Sequence, residues 1–218
     1  MEFVFIVVVV VGFALAWYLA SARRKKLAVW AAANGLRFES RADKGFAARH
    51  PDFGCLARGH SRSAYNVAEG ARNGRPLAAF DYRYVTGHGK NRSVHRFSGV
   101  VLGSLTPLRS LLIRAESVFD RVAEAFGAGD IDFESAEFSR AFHVAARDKR
   151  WAYDVLHQRT IEFLLSMPRF SIEFGDSEVI VWRGRRFDPE TFDDAIGVGE
   201  GILDRLPSYV VREGGEGE

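Results

Sequence analysis

The sequence predicts an α+β fold: a mostly antiparallel sheet closed by a C-terminal helix, carried behind an N-terminal apolar helix. Three observations predict it. Phe3–Ala20 is an 18-residue run without a charge, followed at once by Arg23, Arg24, Lys25 and Lys26. Two hairpin signatures, around Asn73-Gly74 and Gly175-Asp176, each join runs of alternating polarity. Finally, Asp188-Pro189 opens an amphipathic stretch that stops at Pro207.

The apolar run comes first. At ~1.5 Å per residue it covers roughly 27 Å as a helix, close to the hydrocarbon thickness of a bilayer. It has no polar face, as a core helix would, and Trp17 and Tyr18 suit an interfacial belt. Ala20-Ser21-Ala22 mimics a signal-peptide cleavage site, but the only early side-chain charge is Glu2, not the usual basic cluster. The expectation is an uncleaved transmembrane anchor over 1–22 and a basic juxtamembrane helix over 23–40. Because basic residues resist translocation, that assigns a single-pass cell-membrane protein with its N-terminus outside and its domain in the cytoplasm. The bilayer is then one partner, held through the N-terminal helix.

A cytoplasmic α+β domain over 41–210 follows. Leu27, Trp30, Ala31 and Ala33 continue the first helix to the capping pair Asn34-Gly35. A short helix is expected near Lys44–Arg49. In the strand after Asn73-Gly74, Phe80, Tyr82 and Tyr84 share one face while Asp81 and Arg83 take the other. "GHGKN" turns into "SVHRFSGVVLG", and "RSLLIRAE" reads as a further strand after Pro107. Ser117 and Asp120 open a helix with Val118, Phe119, Val122 and Phe126 on one face. "RAFHVAARD" reads as a strand. Asp148 caps a helical stretch running from about Lys149 to Ser166, interrupted near Leu156-His157. The last helix puts Phe192, Ala195, Ile196, Leu203 and Leu206 on one stripe, with Gly197, Gly199 and Gly201 allowing close approach to a sheet. The acidic tail 211–218 reads as disordered. About seven strands with a closing helix suggest, by analogy of element order, a pleckstrin-homology-like barrel.

Charge narrows the function. The chain has 30 Lys+Arg against 28 Asp+Glu; without Glu2 and the four flanking basic residues the balance is 26 against 27, a net of −1. That is no nucleic-acid signature, and no nucleic-acid partner is expected. Cys55 is the only cysteine, so no intramolecular disulfide forms. The charges are unevenly placed. Arg58, Arg62, Arg72, Arg75, Arg83, Lys90, Arg92 and Arg96 face only Glu69 and Asp81 within 58–96, whereas 116–137 holds seven acidic residues and Arg121. Either the two segments pack on each other or the basic one faces lipid headgroups, with Arg58, Arg62, Arg72, Arg75, Lys90, Arg92 and Arg96 as its lipid-facing residues.

The remaining motifs are weak. "TGHGKN" lacks the first glycine and the Ser/Thr of a phosphate loop, and a strand rather than a helix follows it. His50, Cys55 and His60 offer three of the four ligands a zinc site usually wants. Asp81, His88 and His95 are the one combination in which a carboxylate could orient an imidazole for base catalysis. "FDYRY" is better explained as a half-buried β face than as a base-stacking platform. No metal or other cofactor is expected.

One segment carries a resemblance. "DIDFESAEFSRAFHVAARDKRWAYDVLHQRTIEFLL" resembles a segment of bacterial membrane-anchored proteins with a domain of unknown function, at Glu137-Phe138, Phe142, Asp148, Tyr153 and Glu162-Phe163-Leu164. "FDYRYVTGHGKN" resembles their upstream part. Gln158 stands where those relatives often have proline. The resemblance implies an anchor-plus-domain layout and brings no catalytic residues. The reading is therefore a membrane-tethered interaction or scaffolding domain without catalytic activity. The alternatives are a membrane-bound hydrolase or other enzyme using Asp81, His88 and His95, and an anionic-lipid-binding module using 58–96.

Overall fold

In the computed structural model, residues 2–115 and 131–207 are described; the side chains of Glu2, Phe3, Phe5, Val8 and Val9 lie outside that description. Helix α1 (Glu2–Ala33) is followed by β1 (Arg37–Glu39) and two single turns, α2 (Phe46–Arg49) and α3 (Gly54–Ala57). Strands β2 (His60–Arg72), β3 (Arg75–Thr86), β4 (Ser93–Gly103) and β5 (Leu111–Ala115) come next. After residue 130 come α4 (Ala136–Ala141), β6 (Phe142–Ala146), α5 (Lys149–Val155), α6 (Gln158–Ser166), β7 (Ser171–Phe174), β8 (Glu178–Arg183) and α7 (Pro189–Leu203).

All eight strands join one antiparallel sheet in the order β1-β2-β3-β4-β8-β7-β5-β6. The α+β class is as expected. The barrel is not: β1 and β6 are open edges that do not pair with each other, so the pleckstrin-like closure is corrected to an open sheet. Local chemistry sets the turns. Asn73 and Gly74 both take positive φ (51° and 76°), as a type I′ hairpin requires, and Arg72 pairs with Arg75 across it.

One face of the sheet is covered by α1, α4–α7 and a large apolar core that includes Val100, Leu102, Ile113, Phe142, Val181 and Phe192. The other is covered by α2, α3 and a smaller aromatic core of Phe46, Phe53, Phe80, Tyr82, Phe97 and Trp182. A Cβ at Gly199 would sit 2.2 Å from Leu102 Cδ1, which is why this face of α7 needs a glycine against the sheet. Asp188 caps α7 by accepting from Thr191 N, and Asp148 caps α5 by accepting from Trp151 N. The interruption expected near Leu156-His157 is the break between α5 and α6. Helix α4 was not expected; Ser135 caps it by accepting from Phe138 N, so Phe138 is helical and only Phe142 lies on the strand. The helix expected from Ser117 and the acidic tail lie outside the described residues.

Helix α1 has two different halves. Leu27, Trp30 and Ala31 are buried, Trp30 stacks on Phe192 at 5.1 Å, and its indole donates to Asp193 at 2.9 Å. The helix ends at Asn34-Gly35, where Gly35 has φ +69°. By contrast Phe13, Trp17 and Tyr18 are 74%, 69% and 65% exposed. The expected membrane span is corrected here: among the described residues, no helix is long and apolar enough to cross a membrane. The 32 residues of α1 include Arg23–Lys26 and the docked segment after them. The transmembrane and single-pass assignments are therefore withdrawn.

Candidate functional site

Alternation along β3 places Asp81 on the α1 side of the sheet, opposite in facing to Phe80 and Tyr82. Its carboxylate is fully buried, and four side-chain bonds converge on it. Arg23 grips it with two, Nε to Oδ2 at 2.9 Å and Nη2 to Oδ1 at 2.6 Å. Asn66, held at φ +50° in an irregular stretch of β2, donates to Oδ2 at 2.9 Å. Ser98 donates to Oδ1 at 2.5 Å and accepts from Phe187 N at 3.0 Å. A buried charge is tolerable only when paired and fully hydrogen-bonded, and this one is. Arg23, expected as a membrane-flanking cation, is instead the partner of Asp81; Arg24, Lys25 and Lys26 remain exposed.

The same geometry takes apart the expected base. His95 is the register partner of Tyr84 and stacks on it at 4.7 Å, so it lies on the sheet face away from Asp81. Its Nε2 is 2.7 Å from Thr86 Oγ1. His88 stacks on His60 at 4.8 Å. Asp81, His88 and His95 therefore form no catalytic constellation. The three candidate zinc ligands also separate: His50 bonds Glu178 at 2.7 Å, Cys55 is buried, and His60 contacts Gly87 O at 3.1 Å. Among the described residues no group of three or more His, Cys, Asp or Glu side chains is placed to hold a metal ion. "TGHGKN" forms a turn with a short 3-10 segment leading into β4.

Sequence reasoning passed over a second buried carboxylate. Glu173, on the aromatic face, accepts from Trp182 Nε1 at 3.1 Å and Cys55 N at 3.4 Å. Arg58 lies 4.9 Å over the Trp182 ring. Burial raises the Glu173 carboxyl above its ordinary 4.5, opposed by its bonds to Cys55 and by Arg58; burial likewise pushes the Cys55 thiol well up. The folded state therefore binds the Glu173 proton more tightly than the unfolded chain does. The resulting stability is complete below the unfolded value and is lost as pH rises from there through the folded value. Glu173→Gln should flatten this part of the stability profile. Denaturant unfolding across mildly acidic to neutral pH checks it, and an unchanged slope in the variant would assign the dependence to another group.

The main electrostatic feature is a contrast between the two ends of the sheet. Toward the Asn73-Gly74 end, Arg37 pairs with Glu69 (2.9 Å), Arg72 with Glu200 (3.5 Å) and Arg75 with Asp204 (2.8 Å); beside the middle of β2, Arg49 pairs with Asp43 (2.6 Å). A groove of about 540 Å³ there is lined by these same paired groups, including Arg37, Asp43, Arg49 and Glu69. At the opposite end, where the β3–β4 turn, the start of β2 and the end of β8 meet, Arg62, Lys90, Arg92, Arg96, Arg185 and Arg186 are exposed. None of them has an ion-pair partner among the described residues. Helix α1 crosses this basic end at Arg23 on its way out of the domain.

The residues of 58–96 expected to face lipid are thus divided between different parts of the sheet. Arg72 and Arg75 belong to the paired end, and Arg58 stacks on Trp182. Arg62, Lys90, Arg92 and Arg96 lie at the opposite end, with Arg185 and Arg186 from a part of the sequence where the signal was only the short run "RGRR". Of the acidic segment 116–137, residues 116–130 lie outside the description. The described Asp132, Glu134 and Glu137 make no ion pair with the basic region.

No protein-family model matches the chain, and no curated protein does. Its fold is similar to the crystal structure of the mycobacterial trehalose monomycolate transport factor A, TtfA. The TM-score is 0.63 at 13% sequence identity, over 86% of this chain and 94% of that one. At that identity the likeness establishes a shared fold.

Proposed function

We propose that the protein is a non-catalytic scaffold that seats the basic end of its sheet on an anionic lipid surface. One observation carries the reading: the exposed cations of that end have no ion-pair partners among the described residues, while Arg37, Arg72 and Arg75 toward the other end are paired. Each basic residue held near an anionic surface contributes about 1 kcal/mol, so a cluster of six is enough for selective attachment. The carboxylate on this side, Asp81, is saturated by its own donors and offers nothing to a substrate. The fold's use in a trehalose monomycolate transport factor is compatible with an accessory rather than enzymatic role.

The test compares the full-length chain on vesicles of phosphatidylcholine with and without phosphatidylserine. A preference for the anionic vesicles is expected, fading as salt rises because exposed charges are screened over ~10 Å at 0.1 M. Lys90→Glu, Arg92→Glu and Arg96→Glu together should reduce that preference by about 100-fold or more, at about 1 kcal/mol per residue. Arg37→Glu, Arg72→Glu and Arg75→Glu change the net charge equally toward the Asn73-Gly74 end and should leave most of it. Equal loss from both triple variants would mean that net charge, rather than this end of the sheet, governs binding.

A further inference from the structure

Beside the Arg23–Asp81 pair, strand register sets Tyr65, Arg83 and Arg96 on the same face of the sheet, and the Arg186 charge is felt there too. Tyr65 is the register partner of Asp81 and so faces α1. Arg83, two residues along β3, is the register partner of Arg96, two residues before Ser98 on β4; both share that face. Arg186 is brought in by the turn after β8. That turn is fixed on either side of it, by Ser98 N donating to Arg185 O at 3.1 Å and Phe187 N donating to Ser98 Oγ at 3.0 Å. Tyr65 is half-buried, and its hydroxyl makes no hydrogen bond among the described residues. Arg83, Arg96 and Arg186 have no ion-pair partner among them. Burial raises the Tyr65 phenol and Asp81 adds to this, while Arg186, Arg96 and Arg23 oppose it, so these guanidinium charges are felt at the hydroxyl.

We propose that Tyr65, Arg83, Arg96 and Arg186 form a recognition site for a phosphate monoester. The inference rests on the lipid-facing reading and names the headgroup chemistry this end prefers. All four groups donate and none accepts from the ligand's side: three guanidinium forks and one phenolic O–H. Guanidinium matches phosphate bidentately. A monoester presents three terminal oxygens and nearly two negative charges to such a set, where a diester presents two oxygens and one charge. Asp81, already holding Arg23, Asn66 and Ser98, does not neutralise the site. The monoester can be a lipid headgroup or a free phosphate.

The test keeps the full-length chain in nonionic-detergent micelles that are plain, doped with phosphatidylserine, or doped with phosphatidic acid at the same mole fraction, and adds inorganic phosphate in a fourth arm. Affinity is read from the shift in thermal unfolding midpoint with ligand concentration. Phosphatidic acid should bind about tenfold tighter than phosphatidylserine. Tyr65→Phe, which changes no charge, should remove that preference while keeping phosphatidylserine binding and the ligand-free midpoint; Arg186→Gln should remove it too. Saturation by inorganic phosphate, lost in the same variants, supports the site and assigns it to free phosphate. Equal affinity for the two lipids, or a preference that survives both substitutions, overturns the site but leaves the lipid reading standing. Binding no tighter to either anionic micelle than to plain ones overturns both.

Discussion

Arg23→Ala is expected to destabilise the full-length protein by about 3–5 kcal/mol, the cost of removing one partner from a buried ion pair. The loss comes from Asp81, which has 0% exposure and would keep Asn66 and Ser98 but lose two of its four bonds and its compensating charge. Two controls separate this from lost packing. Asp81→Asn in the Arg23→Ala background should recover much of the stability, because no charge is then stranded. Arg23→Lys should recover only part, since a point charge does not reproduce a two-pronged grip. A chain shortened to begin at Leu27 should behave like Arg23→Ala. Denaturant unfolding of the set decides it; a midpoint unmoved by Arg23→Ala would mean that water can reach and solvate the carboxylate.

Phe142→Ala should cost about 3–5 kcal/mol through lost burial and the cavity left behind. Phe142 is 3% exposed, lies at the register position opposite Ala115, and its ring is 5.1 Å from that of Phe138. Against a typical domain stability of roughly 5–15 kcal/mol, this is enough to leave a sizeable unfolded fraction. Phe142→Leu, which keeps most of the volume, should cost clearly less. The same unfolding experiment reads both. If Phe142→Ala left the midpoint in place, this segment would be a working surface rather than core.

Features written into neighbouring residues were legible in the sequence. Asn73-Gly74, Asp188-Pro189 and Asp148 each act within four residues, and all three became the turn or caps expected of them. Ser135 carried the same kind of signal for α4, just ahead of the run read as a strand, and was passed over. The site was not legible. Asp81 finds Arg23 58 residues away and Ser98 17 away, and nothing in a one-dimensional pattern pairs them. Alternation did place Asp81 opposite the aromatic face, but both faces of β3 are covered, so polarity gave no clue that the residue is buried. The basic end is hidden for a related reason: strand register collects Arg62, Arg96 and Arg186 and sends Arg72 and Arg75 to the far end.

The continuity of α1 has a mechanical consequence. Sharp bends in helices arise at proline, glycine or local insertions, and from Phe13 to Asn34 the chain has neither proline nor glycine. The outer half and the docked half are one rod, bolted to the sheet at Arg23 and Trp30. There is no universal joint between them. Whatever grips the exposed end therefore steers the sheet through one continuous helix.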